Sequence, residues 1–253
     1  MTTLGRLATA FLDALLPPVC LTCDSPVDAQ GALCAGCWRG LHLLTPPYCR
    51  RCGVPFLHAG QAGPGGDCAS CLNRPPPYDA ARAALRYDEG ARRLILPFKH
   101  ADRTDFAAPL AARMARAGAE LIVRADVLTP VPLHWRRLAA RRYNQAALLA
   151  RRIAASAGKP WIPDLLRRPR PTPSLDHLRA EDREATLAGA FALGRGAAPR
   201  IAGRRVLLVD DVMTSGATAG ACARVLLAAG AAGVDVLAAA RVPDPRLESS
   251  PRA

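Results

Sequence analysis

Two sets of residues in this chain have the types and spacing to do chemistry. The first is the pair Asp210–Asp211, which closes the apolar run "VLLVDD" and stands directly ahead of "VMTSGAT". Neighbouring carboxylates suit the adjacent hydroxyls of a ribose, directly or through Mg2+, a hard cation that takes oxygen ligands. Behind the pair, Thr214, Ser215 and Thr218 offer hydroxyls, while Gly216 lets a ligand approach the backbone before Ala217 opens a helical pattern. A phosphate set there meets free N–H donors and the positive end of a helix dipole. Ribose hydroxyls and a phosphate a few ångströms apart describe a ribose 5-phosphate.

The second set is eight cysteines in four C-x-x-C pairs: "CLTC", "CAGC", "CRRC" and "CASC". Each such turn aims two sulfurs at one point, and two turns make a tetrahedral thiolate site for zinc. The first two pairs are separated by ten residues and the last two by fifteen, as in short zinc ribbons. Sequential pairing assigns Cys20, Cys23, Cys34 and Cys37 to one ion and Cys49, Cys52, Cys68 and Cys71 to another. Crossed pairing or four disulfides would use the same cysteines, and His42 and His58 lie close enough to stand in for a ligand. Four thiolates leave no open position for catalysis, so both zinc ions are expected to be structural. A segment this poor in apolar residues depends on them to fold. The glycine of "RCGVP" supplies the conformational freedom that such a knuckle needs.

At the start of the chain, "MTTLGRLATAFLDALLPP" predicts a short amphipathic helix ending at Pro17–Pro18 rather than a signal peptide, because Asp13 interrupts it and no cleavage pattern follows. No run approaches the roughly 18 apolar residues of a spanning helix. The chain is therefore expected to be cytoplasmic, where disulfides are rare and metal is the better reading of the cysteines. The Pro-rich "NRPPPYD" marks the joint between two halves, since consecutive prolines continue neither helix nor ladder. The expected domains are a short helix and double zinc ribbon over 1–77, an α/β domain over 78–242 and a disordered tail over 243–253.

In the second half, strands are predicted at "ARAALRY" (81–87), "DVLTPVPL" (126–133), "RRVLLVDDV" (204–212) and "GVDVLAAARV" (233–242). Between them lie helical patterns: 90–103, broken or bent near Pro97; 108–122; 142–158, stopped by Gly158; and 217–230. Alternating strands and helices predict a mostly parallel sheet covered by helices, with ligand beyond the carboxyl ends of its strands. That is where the aspartate pair falls. Cys222, in the last helix, is expected to be a buried small residue rather than a reactive thiol.

"VLLVDDVMTSGAT" resembles the PRPP (phosphoribosyl diphosphate) motif of type I phosphoribosyltransferases, in which a strand ending in two acidic residues leads to a Thr/Ser-Gly phosphate loop. Together with the four C-x-x-C pairs, "LILPFKHADR", "PVPL", "RRYNQA", "RRPRPTPS" and "REATLAGAF", it makes nearly the whole chain similar to the ComF family. These are competence-associated proteins with zinc ribbons ahead of a phosphoribosyltransferase-like domain. The resemblance implies catalytic roles for Asp210 and Asp211, PRPP with Mg2+ as ligand, and DNA uptake as context, with single-stranded DNA and other uptake proteins as partners. It implies a pyrophosphate loop over 131–137, with Pro132, Leu133 and Arg137, and a mobile flap over 141–145, with Arg142, Asn144 and Gln145. The chain departs from the family at Leu175, usually Gln, and at Thr186, usually Asn.

The formal charge is +13, and only Lys99 and Lys159 are lysines. A GC-rich genome accounts for arginine over lysine, but not for where the arginines cluster. From Val127 to Pro163 there is no acidic residue, while Arg136, Arg137, Arg141, Arg142, Arg151, Arg152 and Lys159 fall among Trp135, Tyr143 and Trp161, and Arg167, Arg168 and Arg170 follow. A pyrophosphate needs two or three of these arginines. The surplus is either a solvated helix face or a surface for single-stranded nucleic acid, read here onto Arg136, Arg141, Arg151 and Arg152.

Overall fold

The structure is a computed structural model, and it describes residues 17–100, 103–172 and 185–248. The helix expected before Pro17 lies outside these residues, as does Leu175.

In chain order, the described cysteine-rich part contains two short α-helices, α1 (Ala35–Arg39) and α2 (Ala69–Asn73), with single 3-10 turns between them. Next come β1 (Ala80–Arg86), α3 (Glu89–His100), α4 (Ala107–Ala117), α5 (Ala119–Arg124) and β2 (Val127–Pro130). They are followed by α6 (Trp135–Arg141), α7 (Gln145–Ala157), β3 (Leu166–Arg167), β4 (Ala192–Leu193) and α8 (Ala198–Ile201). The last elements are β5 (Arg205–Met213), α9 (Ala217–Ala228), β6 (Gly233–Arg241) and α10 (Pro245–Glu248).

Four strands form a parallel sheet in the order β1-β6-β5-β2, and β3 and β4 pair antiparallel apart from it. The period of two along each strand divides the core. Leu207, Val209, Leu237 and Ala239 face the side of α3, α4 and α7. Val206, Leu208, Val234, Val236 and Ala238 face α9 and the β3–β4 segment. Strands covered on both faces must be apolar throughout, which is why β6 is buried along its whole length.

Two helices differ from their predicted shape. The pattern over 108–122 divides at Gly118, where the methyls of Leu237 pack on the backbone so closely that a Cβ would lie 2.6 Å from Leu237 Cδ1. The helix α3 runs through Pro97 to His100, anchored by buried Leu94, Ile95 and Phe98. Carbonyls at its C-terminal end lack intrahelical donors. The Tyr143 hydroxyl donates to Phe98 O (2.6 Å), and Gln145 Nε2 donates to Phe98 O (3.2 Å) and Lys99 O (3.5 Å).

The strand β1 would be an open edge of the sheet, and the zinc-ribbon half covers it. Ala81 N donates to Arg51 O (2.7 Å), Leu44 N to Ala84 O (3.0 Å) and Arg86 N to His42 O (2.8 Å). Leu43 and Leu85 form an antiparallel bridge between them. Each such backbone bond contributes about 1 kcal/mol net, and leaving the edge unpaired would invite another chain. From the other end, Leu247 of α10 packs on the second cysteine cluster and its carbonyl accepts from Gln61 Nε2 (2.6 Å). Residues 245–248, expected to be disordered, are therefore a helical turn strapped to the ribbon.

Gly53 is a tight point of this docking. It has φ +65°, and a Cβ there would sit 2.6 Å from Ala81 O. Gly53→Ala combines left-handed strain with a backbone clash, a cost of about 1–3 kcal/mol for the strain alone. The expected outcome is a melting temperature lower by several degrees with zinc still bound, checked by calorimetry and metal analysis.

Candidate ligand site and zinc centres

The two cysteine sets close as sequential pairing predicts. Cys20, Cys23, Cys34 and Cys37 form one group, and Cys49, Cys52, Cys68 and Cys71 the other, with the sulfurs of each within 4.8 Å of one another. Zn–S bonds of about 2.3 Å put tetrahedral sulfurs roughly 3.8 Å apart. Cys23 Sγ and Cys34 Sγ are separated by 3.6 Å, and Cys52 Sγ and Cys68 Sγ by 3.8 Å. Backbone amides support the thiolates: Cys34 N donates to Cys20 Sγ (3.3 Å), and Cys52 N and Cys68 N donate to Cys49 Sγ (3.4 and 3.2 Å). Both are zinc sites built from four cysteines. Neither takes a histidine, and His42 Nδ1 instead meets Asp88 Oδ2 at 2.6 Å. The clusters differ in exposure. All four cysteines of the second are buried, whereas Cys23 of the first is exposed.

At the carboxyl end of the sheet, β2 stops at Pro130, paired with Val209, and Val131 N donates to Val209 O (2.8 Å). Pro132 has no amide to continue the ladder. The strand β5 runs on to Met213, so Asp210 and Asp211 project where its β2 neighbour has ended. Strand alternation sends the two carboxylates to opposite faces. Asp211 Oδ2 meets Lys99 Nζ of α3 at 3.1 Å. Asp210 lies by Cys222 and Arg168 on the α9 side, and its Oδ1 accepts from the Asp211 amide at 2.8 Å. Burial first, and then the charge of Asp211, push the Asp210 carboxyl up to about 8.

Behind the aspartates, Gly216 (φ +82°) turns the chain into α9 as its N-cap, with no side chain bonded to the helix's first amides from that position. Ser215 Oγ accepts from Ala217 N at 3.4 Å. Thr214 and Ser215 are exposed, and Gly216, Ala217 and Thr218 half-buried. The loop follows the predicted form: hydroxyls around an open helix start.

Facing this end from β2, His134 caps α6, its Nδ1 accepting from Arg136 N (3.3 Å). Arg137 Nη2 donates to Thr172 O (3.0 Å), and Arg168 Nη2 donates to the hydroxyl of the same threonine. Arg168 is 8% exposed, and its Nε has no hydrogen-bond partner among the described residues. Burial and the neighbouring Arg137 charge hold its guanidinium below the usual range. Two guanidiniums pressed together with an unused donor form an environment that an anion would relieve.

Lys99 is the site residue that sequence reasoning passes over, and Arg168 enters it only as one of the arginines following the basic segment, not as a neighbour of the aspartates. Lys99 is one of two lysines, in "LILPFKHADR", and Arg168 lies in "RRPRPTPS", but their approach to the aspartates is a long-range contact. Other expected residues take different places. Pro132 is buried and Leu133 half-buried beside His134. Asn144 and Gln145 are engaged by backbone rather than free: Asn144 Nδ2 donates to Val131 O (2.9 Å), its Oδ1 accepts from Ala146 N (3.0 Å), and Gln145 braces α3. Arg142 ends α6 in a left-handed conformation, φ +62°. The carbonyl of Thr186 accepts from Arg170 Nη2 at 3.0 Å.

The basic segment presents fewer aromatics than its sequence suggests. Tyr143 and Trp161 pack against the core, and Lys159 Nζ donates to Val123 O and Ala125 O (2.9 and 2.8 Å). Only α6 stands out, with no buried residue: Trp135 is 64% exposed, Leu138 42%, and Arg136 stacks 5.3 Å from the Trp135 ring centre. Arg141 Nη1 donates to Gln145 Oε1 (3.4 Å), and Arg151 and Arg152 are exposed on α7. Cys222 is fully buried in the core beside β5, and burial pushes its thiol well above the ordinary range.

Together these features define a double zinc ribbon joined to an α/β domain with a parallel sheet covered by helices. Residues 11–75 match the family model of the double zinc ribbon domain. DNA utilization protein YhgH of Salmonella typhimurium is 32% identical over 228 residues, which cover 87% of this chain and 96% of that protein. Competence protein F of Haemophilus influenzae is 31% identical over 231 residues, 88% of this chain and 96% of the relative. The chain belongs to the ComF family. Among solved structures, an adenine phosphoribosyltransferase from Thermoanaerobacter pseudethanolicus gives a TM-score of 0.36 at 16% identity over 58% of this chain and 86% of that one. Orotate phosphoribosyltransferase from Aeropyrum pernix gives 0.34 at 17% over 63% and 80%. At these scores the likeness carries no argument about ligand or activity. Among the described residues, no helix is long and apolar enough to cross a membrane.

The raised Asp210 carboxyl has a sign that can be checked. It keeps its proton in the folded state up to about 8, whereas the unfolded chain releases it near 3.8, so the unfolded state binds fewer protons between those values. Stability contributed by this group is therefore full below 3.8 and is lost as pH rises toward 8. Asp210→Asn should melt a few degrees above the unsubstituted protein at pH 8, and the gap should close toward pH 4, read by thermal unfolding across that range.

Proposed function

We propose that the carboxyl ends of β2 and β5 bind PRPP with Mg2+, or a related ribose 5-phosphate ligand, and that the protein serves DNA uptake or utilisation in the cytoplasm. The observation that carries this reading is the convergence at one sheet end of an acidic pair, an open helix start and two crowded guanidiniums. In it, Asp210 and Asp211 hold the ribose hydroxyls, and the amides and hydroxyls of Thr214–Thr218 hold the 5′-phosphate. Arg137 and Arg168 face the diphosphate, and Lys99 keeps Asp211 oriented. The Asp211 carboxylate, joined by Asp210 once the cation displaces its proton, makes with a ligand's phosphate oxygens a donor set that suits Mg2+, which usually binds through one or two carboxylates and substrate phosphates. When bound, Mg2+ supplies positive charge against the diphosphate. Phosphoribosyl transfer to an acceptor then asks the chain for positioning, and for guanidinium charge where the leaving diphosphate becomes more negative.

A second reading rests on α6. Trp135 with Arg136 stacked on it, exposed on a helix with nothing buried, is a platform for the bases and backbone of single-stranded DNA. In that reading the protein holds DNA without catalysis, the PRPP pocket acts as a sensor, and other uptake proteins are its partners.

Calorimetric titration of the zinc-loaded protein with PRPP and Mg2+ separates the readings. Saturable binding is expected, and Asp210→Asn/Asp211→Asn should weaken it about tenfold, as the loss of the charge-assisted contact of Asp211, about 1.5 kcal/mol, implies. No binding by the intact protein rejects the first reading. For the second, Trp135→Ala should weaken a fluorescent single-stranded oligonucleotide about tenfold, the size of one lost base stack, and leave the PRPP titration unchanged. An unchanged anisotropy curve rejects α6 as the platform.

A further inference from the structure

The second zinc cluster and the loop after the aspartates share one side chain. Arg241, the last residue of β6, pairs with Met213 at the end of β5 and is 6% exposed. Its guanidinium forks between two structures. On one side, Nε donates to Cys52 O (3.1 Å) and Nη2 lies 3.9 Å from Cys52 Sγ. On the other, Nη1 donates to Met213 O (3.2 Å), to Thr214 O and to Val242 O (2.8 Å). Tyr78, buried beside the same cluster, lies beneath the loop: a Cβ on Gly216 would sit 2.8 Å from its hydroxyl and 2.9 Å from Met213 Cε. The first cluster contributes no hydrogen bond to this loop among the described residues.

A zinc ion held by four thiolates leaves the cluster with two net negative charges, because the thiolates outnumber the charge of one Zn2+. A buried guanidinium beside it is held by that charge, and its remaining donors are then fixed on the carbonyls of residues 213 and 214. We propose that Arg241 is a positioning residue through which zinc in the second ribbon sets the conformation of the loop 213–218. Zinc at that site and ligand at the loop therefore stabilise each other, and the first zinc takes no part. The loop's ligand rests on the reading above, but the link between Arg241 and the loop does not.

The coupling is reciprocal by linkage, and couplings between sites commonly amount to a factor of five or more. Two measurements on the full zinc-loaded chain test it. Amide hydrogen exchange over 213–218 should quicken about tenfold in Arg241→Met, with zinc content unchanged. In Arg241→Lys it should quicken less, because one ammonium reaches the carbonyls without forking back to Cys52. Exchange equal to that of the unsubstituted protein in both variants overturns the proposal, whether or not PRPP binds.

In the unsubstituted protein, cysteine alkylation during chelation, resolved peptide by peptide, should slow about fivefold at Cys49, Cys52, Cys68 and Cys71 when PRPP and Mg2+ are present. It should be unchanged at Cys20, Cys23, Cys34 and Cys37, and Arg241→Lys should abolish the difference. Equal slowing at both ribbons, or none in a sample whose calorimetry shows PRPP bound, contradicts the coupling. A sample that binds no PRPP counts against the ligand reading alone, and the exchange measurement then decides for Arg241.

Discussion

The structure depends on the covering of one strand edge. The four-stranded parallel sheet has β1 on its outside, and the backbone groups of a bare edge must be paired or shielded. Residues 42–51 do this, bonding at Ala81, Ala84 and Arg86. That segment forms no helix or strand of its own, and it is held in shape by the cysteine turns around it. Zinc binding in such sites is worth about 10–16 kcal/mol, more than a segment this small could gain by burial. The metal therefore acts on the sheet through the ribbon that it folds.

The same contact reaches the carboxyl end of the sheet. Gly53 lies against Ala81 at the start of β1, while Cys52, next to it, is bonded by Arg241 from the far end of β6. At that end the chain uses local rules to build an opening. Prolines stop β2, β5 continues past it, and alternation divides two adjacent aspartates between the two faces. Lys99 comes from α3 on one face and Arg168 from the β3–β4 side on the other. The electrostatics follow: a carboxyl raised by burial and by its neighbour, opposite a guanidinium lowered by burial and by the arginine beside it.

What could be read from the sequence was what repeats locally. The four strands, the helix stop at Gly158, the loop at Gly216 and the sequential cysteine pairing all have short-range signatures, and the structure bears them out. Features set by distant partners were not legible. Gly118, where the helical pattern divides, packs against Leu237, and the end of α3 beyond Pro97 is satisfied by Tyr143 and Gln145. The basic segment misled for the same reason: Tyr143 and Trp161 look like stacking residues in sequence, but the core takes them. Lys99, Arg168 and Arg241 carry no local mark, because each matters for what lies across the fold.

Calorimetric unfolding of the full chain, zinc-loaded and after chelation under reducing conditions, puts the role of the ribbon to the test. If the second ribbon seals the sheet, the loaded protein melts in a single transition that includes the α/β domain, and removing zinc lowers that transition strongly or abolishes it. A stripped protein whose α/β domain melts at the same temperature and with the same enthalpy would contradict this dependence. The sheet would then stand without its cover.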